Sequence, residues 1–407
     1  MTRGAVTVVG GVYAEVVRSP PRYELFGSGG RGAAVLSALG CEVELLTAID
    51  TKTRELFEPM ATGFRFVLRA TDVPITTQFV YEHPLGAPRT RPLLIPQLSP
   101  GALTVQADDV LLFGMLEGTP RVTGRRIVYD PQDPLSPKWL DDTDSRAAQV
   151  TYVLNLTEGR LLTGQEAPHA IVASVLAKPN VSACALKLGP RGALVGDRKG
   201  QVEHIPCYRT ERVWPVGSGD IFAGAVAWGI FQDQTIFTSA SAASRAVALY
   251  ANSQAIPSQA DLLTGDSFPF EEVQIKDLST RPRIYLGGPF FTIQDHWLVE
   301  EARSILQGMG LQVFSPLHDV GEGNAEQVAP RDLQAIRDSS LVFALLESLD
   351  PGTLFEVGFA RALDRPVIAY VGQVPEGHLK MVTGSGCKTE RDLTTALYEA
   401  AWNALEI

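Results

Sequence analysis

Short β-branched runs alternate with segments of helical length along most of this chain, and that alternation constrains its fold more than any other feature. Val6–Val9, Val43–Ala48, Ile127–Tyr129, Thr151–Asn155 and Ala183–Leu188 read as strands, whereas Ala33–Leu39 and Asp220–Phe231 read as helical. Strands alternating with helices imply β-α-β units around a mainly parallel sheet, so the expected class is α/β. Between Leu68 and Ile95 extended segments with several prolines replace the alternation, which predicts a β-rich flap. A second interruption, T-G-D-S-F-P-F-E-E-V-Q-I-K-D-L-S-T-R-P-R at 264–283, is charged, aperiodic and carries two prolines, so it reads as a linker. After it the pattern restarts with a strand at Ile284–Gly287, a helix near Gln294–Gln307 and strands at Gln312–Ser315, Leu341–Leu346 and Pro366–Tyr370. The expected division is a larger domain at 1–263, a linker at 264–282 and a smaller α/β domain at 283–407. A length of 407 residues accommodates that division.

The formal charge of −11 supplies no broad basic surface, which disfavours nucleic acid and anionic membranes as partners while leaving room for local phosphate pockets. Cys41, Cys184, Cys207 and Cys387 form no C-x-x-C pair, so neither a disulfide framework nor a zinc cluster is expected. The N-terminal M-T-R-G-A-V-T-V-V-G has no signal-peptide character, and no apolar run reaches the ~18 residues of a membrane span. A cytoplasmic location is expected.

The strongest local signal is G-S-G-D at 217–220, a glycine-rich turn opening the apolar helix I-F-A-G-A-V-A-W-G. Amides at such a helix start carry the positive end of the dipole, so Gly217, Ser218 and Gly219 can hold charge developing on a transferring phosphoryl group. Asp220 stands where a carboxylate could take a proton from an attacking hydroxyl. The plainer alternative is a capped helix with Asp220 favourable in its first turn. A dinucleotide fingerprint also fits formally, since Gly27-x-Gly29-x-x-Gly32 precedes Asp50 by 18 residues. The paired prolines in R-S-P-P-R-Y-E-L-F make a poor strand before it, which counts against that reading.

With G-S-G-D in place, residues 1–262 resemble the ribokinase-like (PfkB) sugar and nucleoside kinase family. Further stretches carry the resemblance: G-S-G-G-R-G-A-A-V-L-S-A-L-G at 27–40, the N-x-x-E motif at Asn155–Glu158, and K-L-G-P-R-G-A at 187–193. The resemblance implies a three-layer α/β/α domain with Asp220 as general base and the backbone of Gly217–Gly219 as anion hole. It also implies ATP and Mg2+ as cofactors, with Lys187, Gly189 and Gly192 on the nucleotide side and Asn155 with Glu158 positioning the hydrated magnesium. Gly29, Gly30 and Glu15 fall at the acceptor pocket. The chain departs from the family at Trp214-Pro215-Val216, where Asp-Thr is usual, at Glu15, where Asp is usual, and at Ala34, where Asn is usual. A lost polar contact in a buried site changes substrate preference by ten- to a hundredfold or more, so plain ribose is not the expected acceptor.

In the C-terminal domain, I-Y-L-G-G-P-F-F at 284–291, R-D-L-Q-A-I-R-D at 331–338 and D-P-G-T-L-F-E-V-G at 350–358 place Asp332, Asp350 and Glu356 at strand ends or helix starts. Cleaving an N-glycosidic bond needs one carboxylate facing the anomeric carbon and another acid to protonate or orient the base. Local structure offers another account, in which Thr353-x-x-Glu356 is a capping box, Asp350-Pro351-Gly352 an ordinary turn and Asp332 a first-turn helix charge. Residues 283–385 resemble the nucleoside 2-deoxyribosyltransferase family, a flavodoxin-like fold. That resemblance implies Glu356 as nucleophile at C1′, Asp332 and Asp350 assisting the leaving base, and Tyr285 contacting the catalytic carboxylate. It also implies a base pocket shaped by Gly287, Gly288 and Pro289–Phe291, with Phe290 stacking on the base. Where the family has an asparagine for the sugar 5′-hydroxyl, H-L-K-M at 378–381 offers Lys380, which could meet a 5′-phosphate or lie in solvent.

Together these expectations describe a bifunctional salvage enzyme acting on sugars, nucleosides or nucleotides, with no nucleic-acid or membrane partner. The alternative is a regulatory, nucleotide-binding or dimerisation first domain attached to one active glycosidic domain, for instance a deoxynucleotide N-glycoside hydrolase. Because both families commonly complete sites with a neighbouring subunit, a homo-oligomer is expected.

Overall fold

The computed structural model describes residues 5–99, 101–262, 268–321 and 323–406. The chain divides into two compact units, one formed by the residues up to Leu188 with Gly192–Glu272, the other by Gly189–Arg191 with Val273 onward. Of the segment expected as a linker, residues 264–267 lie outside the described residues.

The strands of the first unit are β1 (Val6–Val9), β2 (Ala14–Val17), β3 (Arg22–Leu25), β4 (Val43–Ile49), β5 (Val67–Asp72), β6 (Gln78–Tyr81), β7 (Arg89–Arg91), β8 (Thr104–Phe113), β9 (Arg121–Asp130), β10 (Arg146–Asn155), β11 (Val181–Lys187), β12 (Ala193–Asp197), β13 (Val202–Ile205), β14 (Tyr208–Arg209) and β15 (Glu271–Glu272). Its helices are α1 (Gly27–Ala38), α2 (Thr51–Phe64), α3 (Leu156–Thr163), α4 (Pro168–Leu176), α5 (Ser218–Phe231), α6 (Ile236–Ser253) and α7 (Gln259–Leu262).

The main sheet runs β13-β12-β11-β10-β9-β8-β1-β4-β5 and is parallel from β11 to β5, with β12 and β13 antiparallel at one edge. Every residue of β1, and Val150–Leu154 of β10, is buried. Strands buried on both alternating sets of side chains require cover on both faces. Helices α3 and α4 pack on β10–β12, while α1, α5 and α6 pack on one another and on the sheet, giving the expected three-layer arrangement. Almost all of α5 is buried, which is why its sequence is apolar around the whole helix.

A small sheet of order β3-β2-β6-β7 stands apart from the main one. The expected flap at 68–95 therefore contributes only β6 and β7, because β5 pairs in parallel with β4 in the main sheet. Its other half, the hairpin β2–β3, has strands of four residues, too short to leave a clear pattern in the sequence.

The second unit contains β16 (Arg283–Gly287), β17 (Gln312–Phe314), β18 (Leu341–Leu345), β19 (Val367–Tyr370) and β20 (Lys388–Glu390). Its helices are α8 (Ile293–Gly308), α9 (Pro316–Asp319), α10 (Ala325–Asp338), α11 (Pro351–Ala362), α12 (Lys380–Gly384) and α13 (Leu393–Glu406). The sheet is parallel, with order β17-β16-β18-β19-β20. In positional terms that is 2-1-3-4-5, the flavodoxin-like order, which places a ligand crevice beyond the carboxyl ends of β16 and β18. No helix among the described residues is long and apolar enough to cross a membrane.

Candidate active sites

In the first unit, Gly217 caps α5 with a left-handed backbone (φ 81°), and a Cβ there would run into the guanidinium of Arg31. The Lys187 ammonium lies 3.5 Å from where a Cβ on Gly219 would sit. A glycine-opened helix start of this kind, with the Lys187 ammonium close by, is suited to a phosphate group, whereas Arg31 is committed to carboxylates. The Ser218 amide, expected in the anion hole, instead donates to the Pro215 carbonyl at 3.0 Å, because the chain turns tightly before entering the helix.

Asp220 does not cap its own helix. Its Oδ2 accepts from Arg31 Nη1 at 2.8 Å and its Oδ1 from Gln132 Nε2 at 2.7 Å. Gln132 holds this position with a left-handed backbone (φ 48°), an uncommon conformation for a residue with a side chain. Arg31 is fully buried and also pairs with Glu15 and, at 3.2 Å, with Glu24, while its Nε has no hydrogen-bond partner among the described residues. Burial raises the Glu15 carboxyl despite the opposing charge of Arg31.

Asn155 and Glu158 form a reciprocal capping box at the start of α3: the Glu158 amide donates to Asn155 Oδ1 at 2.9 Å and the Asn155 amide to Glu158 Oε2 at 2.8 Å. Beside them the Lys187 ammonium pairs with the buried Asp130 carboxylate at 2.6 Å. Burial, then the charge of Asp130, pushes Glu158 up to about 8. Glu158 thus holds its proton near pH 7 beside the neutral Lys187–Asp130 pair, and a hydrated cation arriving there would favour its ionised form. Among the described residues no group of three acids, histidines or cysteines could ligate a metal directly.

The acceptor-side glycines have packing roles. A Cβ on Gly29 would collide with the Gly10 carbonyl, and one on Gly30 would meet Phe57 at 2.9 Å. Gly189 (φ 60°) and Gly192 (φ 78°) have left-handed backbones, and a Cβ on Gly192 would also strike the Ile205 carbonyl. A cavity of about 830 Å³ beside Asp220 and Glu15 is lined in part by Tyr13, just before β2, and by Phe79 and Tyr81 of β6.

In the second unit, Tyr285 donates its hydroxyl to Glu356 Oε1 at 2.6 Å. Gly287 makes room for that carboxylate, since a Cβ there would lie 2.8 Å from Glu356 Oε2. Asp350 is the N-cap of α11 and accepts from the Thr353 amide at 2.7 Å and its hydroxyl at 2.9 Å. Thr353 is therefore not the cap, and the capping-box account of Glu356 fails, because Glu356 turns to Tyr285 instead. The first-turn account of Asp332 fails as well. The α10 helix begins at Ala325 and passes through Pro330, so Asp332 lies mid-helix, buried, with no hydrogen-bond partner for Oδ1 among the described residues.

Burial is the main reason Glu356 is pushed up to about 7; the Tyr285 hydroxyl opposes this, and the charges of Asp332 and Asp350 add to it. Burial likewise raises Asp332 and Tyr285. Gly288 packs against Leu345 at the end of β18, and Phe290 lies 5.4 Å from the exposed Phe291. Lys380 is exposed at the start of α12, forms no ion pair among the described residues and does not hydrogen-bond the three carboxylates.

Sequence reasoning passed over Arg31, Glu24, Gln132 and Asp130. For Arg31 a signal existed, a single charged residue within the otherwise small-residue run 27–34.

Residues 127–259 match the profile of the pfkB family carbohydrate kinases, and residues 284–386 that of nucleoside 2-deoxyribosyltransferase. A comparison with curated proteins finds no match. Among solved structures, the fructokinase of Vibrio cholerae O395, in a form with fructose, ADP and calcium ion bound, aligns at 13% identity over 63% of this chain and 97% of its own, with a TM-score of 0.49. The nucleoside kinase of Methanocaldococcus jannaschii aligns at 13% identity over 63% and 97%, with a TM-score of 0.47. That of Burkholderia thailandensis, in complex with inosine, aligns at 19% identity over 63% and 95%, with a TM-score of 0.46. This chain thus joins, at 127–259, a stretch of the pfkB carbohydrate kinase family to a stretch, at 284–386, of the nucleoside 2-deoxyribosyltransferase family.

Proposed function

We propose that the chain is a bifunctional enzyme whose second unit breaks N-glycosidic bonds of deoxyribosyl substrates and whose first unit transfers a phosphoryl group to a sugar or nucleoside hydroxyl. The observation that carries the glycosidic half is Glu356, a half-buried carboxylate held by Tyr285 in the space left by Gly287 and near enough to Asp332 to feel its charge.

In this reading a Glu356 oxygen attacks C1′, the C1′–N bond breaks and the base leaves with the electron pair. Asp332 or Asp350 supplies or orients the proton the base acquires. Water or a second base then attacks C1′, the ester C–O bond breaks and the Glu356 carboxylate is restored. The Tyr285 hydrogen bond keeps the nucleophile in one orientation and favours its ionised form.

For the phosphoryl half, the support is the glycine-opened α5 start with Lys187 close by and Asp220 in its first turn. Asp220 would accept the acceptor hydroxyl proton, while Lys187 and the helix dipole would stabilise the transferring charge. The donor set fits MgATP. Asn155 and Glu158 would hold the magnesium through its water, and the ion would neutralise phosphate charge.

A second reading rests on one observation: both oxygens of Asp220 already accept hydrogen bonds, from Arg31 and Gln132, which suits a nucleotide-binding regulatory unit. Incubating the full chain with mixed deoxynucleosides and deoxynucleotides, with and without MgATP, and weighing the products by mass spectrometry separates the two. Glu356→Ala should abolish base release, and Asp220→Asn should abolish phosphoryl transfer while base release continues. Base release by Glu356→Ala would refute the glycosidic assignment, and no phosphoryl product from a broad acceptor panel would favour the regulatory reading.

A further inference from the structure

On the phosphoryl-transfer reading of the first unit, we propose that its acceptor is an intact nucleoside whose base stacks on an aromatic wall of Tyr13, Phe79 and Tyr81, in preference to a free sugar. The wall belongs to the cavity of about 830 Å³ that contains Asp220 and Glu15. That volume falls within the range of pockets built for ligands of nucleoside size and is generous for a lone pentose.

The rings are mutually braced. Tyr13 and Phe79 meet edge to face at 5.2 Å between centroids, and Phe79 and Tyr81 lie 6.5 Å apart, tilted by 35°. Tyr13 is buried, so it braces Phe79, and its hydroxyl is engaged within the protein. That hydroxyl donates to the fully buried Glu117 at 2.9 Å and accepts from the Leu116 amide at 3.1 Å, while Glu117 also accepts from the Thr77 hydroxyl at 3.2 Å. A wall braced in this way is preorganised for stacking and loses little freedom when a base arrives.

Phe79 and Tyr81 line the same cavity as Glu15 and Asp220, so the wall shares its space with the proposed base. A nucleoside whose sugar hydroxyl faces Asp220 can therefore lay its base along these rings. A free pentose would fill only the polar end and leave apolar surface wet. One consequence for the fused chain concerns order: a nucleoside phosphorylated here keeps its N-glycosidic bond, so this step precedes any cleavage of that bond.

The test is initial-rate transfer from MgATP by the full chain to a deoxynucleoside and to 2-deoxyribose, with mass analysis showing whether phosphate sits on an intact nucleoside. The expected kcat/KM is at least tenfold higher for the nucleoside. Phe79→Ala should lower the nucleoside value by roughly 5- to 150-fold, the loss produced by removing an aromatic partner from a stacked base, and leave deoxyribose within about twofold. Equal or better use of deoxyribose, or an equal loss for both acceptors in Phe79→Ala, overturns the proposal while leaving phosphoryl transfer intact. If neither acceptor is phosphorylated, the transfer reading itself fails. Equilibrium dialysis with labelled deoxynucleoside then decides the aromatic site: binding weakened by Phe79→Ala supports it, and binding absent or unaffected by the substitution overturns it.

Discussion

Glu356 carries a cost in stability that the proposed glycosidic chemistry requires, and Glu356→Gln exposes it. The carboxyl titrates near 7 in the folded chain against an ordinary 4.5, chiefly because it is buried. The unfolded chain releases this proton first, so stability falls as pH rises from about 4.5 to about 7, and the full penalty persists above. A shift of about 2.5 units at 1.36 kcal/mol per unit is about 3 kcal/mol. Glutamine keeps an oxygen to accept the Tyr285 hydroxyl and has no charge to desolvate. The variant should therefore match the parent near pH 4.5 and exceed it by about 3 kcal/mol at pH 8, on the order of 10 °C in Tm for a unit of this size. Calorimetry of the full chain at both pH values reads the gain as a shift of the transition of the second unit. Base release should be lost at both. A gain independent of pH, or larger at pH 4.5, would refute the assignment of the shift to desolvation of an ionised Glu356.

Tyr285→Phe removes a donor that favours the ionised carboxylate, so the acidic limb of base release should move above about 7 by roughly one to two pH units; a limb that stays or falls contradicts that role. Arg31→Met leaves Glu15, Glu24 and Asp220 facing one another without their buried cation, and urea unfolding of the first unit should show a loss of about 3–5 kcal/mol. Gly217→Ala meets both a left-handed backbone and the Arg31 guanidinium, whereas a Cβ on Gly219 has only ordinary contact with Lys187. Phosphoryl transfer should thus collapse in Gly217→Ala and survive in Gly219→Ala, and equal effects would argue against the packed Arg31–Gly217 junction.

Much of the architecture is legible in local pattern because strands, helices and tight turns are decided by neighbours in sequence. The run V-T-V-V at β1 and the glycine-opened apolar helix at α5 are examples. The carboxylates proposed for the glycosidic step are legible for a similar reason, since Asp350 and Glu356 lie on one short stretch at the start of α11. Local pattern also misleads there, because T-x-x-E reads as a capping box until Asp350 takes the cap and Tyr285, 71 residues away, takes Glu356. At 155–158 the same type of pattern does form the box, and what tertiary structure adds is the burial of Glu158 beside Asp130 and Lys187.

What the sequence by itself determined is therefore the α/β class, the restart after the aperiodic segment, and the identity of the acids and glycines on which any chemistry here would depend. Tertiary structure alone decided their charge environment. Arg31 reaches Asp220 across 189 residues of sequence, and Gln132 reaches it across 88. The aromatic wall likewise exists only because β2 and β6 pair side by side. Ion pairing and desolvation depend on distance in space and on excluded water, and neither quantity is encoded in the spacing of residues along the chain.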